Sequence, residues 1–144
     1  MRVELAYPAT FTPDETGRIF VRFIDLPHTA TDGKDRTEAM TEAIDCLASV
    51  LSISMSLKEE VPAPSRARCG VVMVPVSLDV APKLALYQAM RTAKISNNEL
   101  ARRLGVSEAV VRRMLDPAHK TKALKILAAL EALGTRLIVT TEAA

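Results

Sequence analysis

A chain of 144 residues, 49% apolar and 25% charged, has room for one domain or two small ones. Two tyrosines, three phenylalanines and no tryptophan are too few to wall an aromatic active-site pocket or to stack the bases of a single-stranded nucleic acid. The net charge of +2 hides a division near Ser65: six bases against eleven acids leave −5 up to that residue, and thirteen against six leave +7 beyond it. Such asymmetry suits a basic partner for the first half and a polyanion for the second.

Cys46 and Cys69 are the only thiols and stand in no CxxC pair, so they read as small apolar fillers rather than a disulfide or zinc site, and no metal or other cofactor is expected. The opening MRVELAYPATF lacks a cationic segment followed by an apolar run, which argues against a signal peptide. No window is expected to reach the ~20 apolar residues of a membrane span. The reading is a cytoplasmic protein with no membrane partner.

In chain order, Val3, Leu5 and Tyr7 alternate with polar or small residues, and Ile19, Val21 and Phe23 repeat the pattern after the turn-rich PDETG, which predicts a hairpin. A short third strand is expected at 29–31, with Asp32 and Gly33 turning the chain. Asp35 and Glu38 fit a capping box that starts a helix, along which Met40, Ile44, Leu47 and Leu51 form an apolar stripe as far as about Lys58. VPAPSRA has two prolines and no periodicity, so residues 60–68 read as a linker or crossover loop. GVVMVPVSL then predicts another strand of the same sheet, with Pro75 on an edge or bulge.

From Asp79 the pattern turns helical: Asp79 as a cap, Pro82 in a first turn, and Leu86, Met90 and Ala93 on one face. Gly134 is placed to stop the last helix after Leu133, and RLIVTT reads as a short terminal strand whose partner could be another subunit's copy.

The most specific run is SNNELARRLGVSEAVVRRMLD, residues 96–116, which reads as a helix-turn-helix. Ser96 and Glu99 suit a capping box, Leu100 and Leu104 face inward, and Ala101 is small where two helices cross. Gly105 sits in the turn, Val106 is expected to pack inward, and Ser107 to cap a second helix with Val110 or Val111 and Met114 on its buried face. Its outer face would carry Glu108, Arg112 and, in part, Arg113 into a major groove, with Ser107 near a phosphate or base edge. Lys94, Asn97, Asn98, His119, Lys120 and Lys122 flank the motif as phosphate contacts.

Taken together, YPATF, the glycine hairpin, FVRFIDLPHTATDG, DRTEA, VPAPS and the helix-turn-helix resemble, over nearly the whole chain, the HicB antitoxin family in its helix-turn-helix version. The resemblance implies a degenerate ribonuclease H-like first domain that binds a small, basic, mRNA-cleaving HicA-like toxin, and a second domain that represses the operon. Family members commonly carry proline before the DLP and glycine after it, where this chain has Ile24 and His28.

The expected architecture is α+β: a small antiparallel-type sheet with one packed helix at 1–78, then an all-α helix-turn-helix domain with a short terminal strand at 79–144. The chain is expected to be no enzyme, to bind double-stranded operator DNA and a HicA-like toxin, and to form a homodimer or higher oligomer. The DNA-contacting set is Asn97, Asn98, Ser107, Glu108, Arg112, Arg113, Lys120 and Lys122, supported by Ala101, Gly105 and Val106, and the toxin-contacting set is Asp25, Asp32, Asp35 and Glu38. Two other classes stay open: a stand-alone helix-turn-helix repressor with a ligand-sensing first domain, and a weak nuclease using Asp14, Asp25 and Asp32. His28 reads as a turn residue rather than a general base.

Overall fold

The computed structural model describes residues 2–143. The chain divides into two compact units, the first running to Val80 and the second beginning at Ala81. With the boundary there, the formal charges are −4 and +6.

The first unit is built on four antiparallel strands, β1 (Ala6–Pro13), β2 (Ile19–Phe23), β3 (Ala30–Gly33) and β4 (Val72–Pro75), in the order β3-β2-β1-β4. The β1–β2 hairpin is closed by Asp14, whose Oδ1 accepts from the Thr16 amide, the Thr16 hydroxyl and the Arg18 amide at 2.7 to 3.0 Å. The Thr16 hydroxyl is the main reason the Asp14 carboxyl lies below its ordinary pKa. The hairpin starts later than the alternation suggests, for Val3 and Leu5 precede β1, although the Leu5 carbonyl accepts from the Val76 amide at 2.9 Å.

Val72 to Val74 and Pro75 pair with β1 alone, so Pro75 stands on an edge, where its missing amide costs no ladder bond. The 60–68 segment is the crossover that returns the chain to β4. It is tied to the sheet unit twice: the Tyr7 hydroxyl donates to the Pro62 carbonyl at 2.7 Å, and Asp25 accepts from the Ser65 amide and hydroxyl at 2.7 and 2.6 Å.

Between β2 and β3 the Thr29 amide donates to the Leu26 carbonyl at 3.2 Å, with Pro27 and His28 in the corners of the turn. His28 has φ +61°, the left-handed region that glycine enters most cheaply. A histidine thus holds a turn position suited to glycine.

Helix α1 (Arg36–Ser56) starts where Asp35 accepts from the Glu38 amide at 2.9 Å and Glu38 reaches back to the Lys34 amide. Its buried stripe is Ala39, Ala43, Leu47, Leu51 and Met55. Met40 and Ile44, expected on that stripe, are only half-buried. The reason is at Gly33, where an added Cβ would lie 2.3 Å from the Ala39 nitrogen. So close a helix–strand approach admits only small residues in the first turns, and Leu and Met enter further along. Contrary to expectation, α1 is long and apolar enough by length and composition to cross a membrane. It packs here as an amphipathic core helix on β2, β3 and β4, with Glu42 and Asp45 exposed on its outer side.

The second unit is helical: α2 (Ala81–Ala93), α3 (Asn97–Leu104), α4 (Glu108–Leu115) and α5 (Ala123–Ala132). Its core joins Leu86 and Met90 of α2 to Leu100 and Ala101, Val111 and Met114, and Ile126, Ala129 and Leu130. Ala93, assigned to the buried face of α2, is exposed, since the helix ends there and the chain turns out through Lys94 at φ +54°. The terminal strand expected in RLIVTT is not formed: Leu137 packs against the core, while Ile138 and Val139 are exposed and pair with no strand. A strand needs a neighbour to satisfy its amides, and the only sheet described lies in the other unit.

Candidate functional site

The arrangement of α3 and α4 follows from three local devices. Ser96 accepts from the Glu99 amide at 3.2 Å and starts α3. Leu100 and Ala101 bury one side of that helix, and the small Ala101, 4% exposed, lets a neighbouring helix lie close. Gly105 ends it at φ +66°, with the Gly105 amide bonded to the Arg102 carbonyl and the Val106 amide to that of Ala101. These paired bonds form a Schellman stop, which needs a left-handed residue at the position Gly105 fills.

Two expectations at this turn need correction. Val106 is 38% exposed rather than packed inward, because its backbone amide, not its side chain, closes the turn. Ser107 holds the N-cap position of α4 with extended backbone, but its side chain makes no capping bond. Val111 and Met114 form the buried face of α4, with Val110 half-buried.

The outer side chains form a connected set. Glu99 accepts from Arg102 at 2.7 Å and from Arg103 at 2.9 Å, so the expected return of its carboxylate to the helix start is replaced by two ion pairs. Those guanidiniums, Arg102 first, hold the Glu99 carboxyl down to about 2. One oxygen of Glu108 accepts from Arg112 at 3.2 Å within α4, and the other from the Asn97 amide group of α3 at 3.3 Å. Arg113 is exposed and its Nε donates to the Ala109 carbonyl, with no carboxylate partner among the described residues. Asn98, Lys120 and Lys122 are exposed. All eight residues expected to contact DNA thus lie on α3, on α4, at the α4 N-cap (Ser107) or in the adjoining 116–122 loop, within the basic unit.

Sequence reasoning missed Lys83. It stands on the inner face of α2, 3% exposed. Its ammonium donates to the carbonyls of Arg113 at 3.3 Å and Asp116 at 2.6 Å, to that of His119, and to the Thr121 hydroxyl at 3.2 Å. A lysine has only three N–H donors, so these four contacts share them. Burial lowers the Lys83 pKa, and the nearby Asp116 partly opposes that. The signal was present: Lys83 falls on the same helical stripe as Leu86, Tyr87 and Met90.

The four acids expected to contact a toxin do not form one patch of free carboxylates. Asp32 pairs with Arg18 at 2.6 Å, Asp35 and Glu38 are occupied at the start of α1, and Asp25 holds Ser65. Among the described residues no group of three or more His, Cys, Asp or Glu side chains is placed to hold a metal ion.

The fold defines a class: an α+β sheet unit followed by a small helical unit of opposite charge. The comparisons narrow it. The family model described as HicB_like antitoxin of bacterial toxin-antitoxin system matches residues 6–85. The protein named Antitoxin HicB 2 in Photorhabdus laumondii is 37% identical over 137 residues, covering 95% of this chain and 96% of that protein. Antitoxin HicB of Escherichia coli is 34% identical over 133 residues, covering 92% and 96%. This chain belongs to the HicB-like antitoxin family of bacterial toxin–antitoxin systems. The family's role is regulatory rather than catalytic.

Two outcomes follow from the site geometry. The Glu99 contribution to α3 is fully present above the ordinary carboxylate range and lost as pH falls through about 2. An NMR titration of the Glu99 side chain should find it still ionised at pH 3, and a midpoint near the ordinary glutamate value of 4.5 would contradict the ion pairs. Lys83→Met should lower the stability of the second unit by about 2 kcal/mol, because the carbonyls of Arg113, Asp116 and His119 each lose a charged donor. Denaturant unfolding checks this, and an unchanged midpoint would count against it.

Proposed function

We propose that the chain neutralises a small, basic, HicA-like mRNA-cleaving toxin through its first unit and represses its own operon through the α3–α4 pair acting as a helix-turn-helix. The carrying observation is the placement of Arg112 and Arg113 on the exposed side of α4, opposite Val111 and Met114 in the core. A helix so divided can enter a major groove while its buried face stays fixed to the protein.

Lys120 and Lys122 add exposed cations beside α4, suited to phosphates, which position a protein on DNA without reading sequence. For the first unit, the support is its net −4 together with the acids on the outer side of α1. Complementary charge speeds encounter with a basic partner and disfavours wrong ones. Because Asp25, Asp35 and Glu38 already hold local structure, Glu42 and Asp45 join them as contact candidates. The exposed Ile138 and Val139 support a contact between copies, so that two α4 helices could address two half-sites about one DNA turn apart.

The full chain with Arg112→Ala and Arg113→Ala should bind duplex from its own promoter region at least about tenfold more weakly, with a smaller salt dependence. Its capture of a basic toxin encoded beside it should be unchanged. Normal retention of that duplex by the double variant would reject α4 as the reading helix, and loss of toxin capture would reject the division of labour.

A further inference from the structure

Resting on the DNA-binding reading, we propose that Glu108 is a specificity-determining residue that recognises the amino edge of a cytosine, while Arg112 takes the guanine of the same or the adjoining base pair. The observation is the double seating of the Glu108 carboxylate. One oxygen accepts from Arg112 Nη1 at 3.2 Å, one helical turn along α4, and the other from Asn97 Nδ2 at 3.3 Å, across the turn on α3. An ordinary i,i+4 pair on a solvated helix needs no third partner. Here a second helix fixes the carboxylate, which is still 34% exposed, while the Arg112 side chain is 68% exposed.

The chemistry of the two groups limits what they can meet. An ionised carboxylate only accepts, and a guanidinium only donates. In the major groove the amino donors are cytosine N4 and adenine N6, and guanine offers the paired acceptors O6 and N7. A carboxylate and a guanidinium one turn apart therefore match a donor and an acceptor pair on neighbouring groove positions, which a C·G pair supplies. Thymine O4 or guanine O6 opposite Glu108 would face a carboxylate with a second acceptor and exclude it. Adenine offers its N6 amino group but brings N7 beside the carboxylate, so it ranks below cytosine.

The same seating restrains non-specific binding. While Glu108 holds Arg112, phosphates must compete with that carboxylate for the guanidinium, and Arg112 is released where a base amino group replaces it as donor to Glu108 and a base acceptor replaces Glu108 as its partner. Removing the carboxylate should free Arg112 for any duplex.

The test is selection of binding sites from a pool of random duplexes by the full-length chain, in the wild-type, Glu108→Gln and Glu108→Ala forms, with circular dichroism confirming that each is folded. The wild type should enrich a motif with cytosine fixed beside a guanine, favoured over thymine at that position by roughly tenfold or more. Glu108→Gln should shift the position toward adenine, whose N6 and N7 a carboxamide can engage together. Glu108→Ala should flatten it while binding to an unrelated duplex tightens. A motif that is the same at every position in all three forms overturns the assignment of Glu108 and leaves the DNA reading standing. Failure of the wild type to enrich any motif overturns both.

Discussion

The second unit depends on one buried charge. Lys83 reaches from α2 to the end of α4 and bonds the carbonyls of Arg113, Asp116 and His119, where the helix dipole and the unpaired carbonyls concentrate negative potential. An apolar side chain in that place could fill the volume but would take a donor from each of those oxygens, leaving the Arg113 carbonyl to the Asp116 amide and the Thr121 hydroxyl and the Asp116 carbonyl to the His119 amide. Lys83 thus fixes both the end of α4 and the path of the 116–122 loop from inside, and the exposed side of α4 is left to Arg112 and Arg113. That anchorage, with Val111 and Met114 in the core, holds the helix and loop that carry Arg112, Arg113, Lys120 and Lys122.

Formal charge and available charge differ in this molecule. The second unit carries a net +6, yet Arg102 and Arg103 are spent on Glu99, Arg112 on Glu108, and Lys83 on the interior. Arg113, Lys94 and the exposed lysines of the 116–122 loop stand in no ion pair among the described residues and are available to a phosphate backbone. The first unit has the same economy in reverse, since Asp14, Asp25, Asp32, Asp35 and Glu38 each stabilise a turn, a crossover, a strand or a helix start. Acids that hold the fold together are also those most easily picked out of a sequence as functional.

Much of the architecture was legible because local chemistry and tertiary packing agree. Asp35 with Glu38, Ser96 with Glu99, Gly105 in its turn and Pro75 on an edge each act within a few residues, and each stands where the spacing places it. The misreadings arose where distant contacts decide. The α1 stripe runs through Ala39 and Ala43 because Gly33 brings β3 against the helix, a restriction that periodicity alone does not reveal. RLIVTT has strand-like residues but no neighbouring strand within its own unit. Lys83 was passed over because a lysine on a core stripe is explained only by carbonyls some thirty residues further on.

The family model covers residues 6–85, and the candidate DNA-contacting residues lie beyond it, in the part of the chain matched by the curated relatives alone. The central claim is that α4, held by Lys83, is the surface that meets duplex DNA. Backbone amide resonances followed while promoter duplex is titrated into the full chain test it most directly. The account predicts shifts concentrated in residues 96–122, strongest around Arg112 and Arg113. Shifts confined to the four-stranded sheet and α1, with residues 96–122 unmoved at saturation, would contradict it.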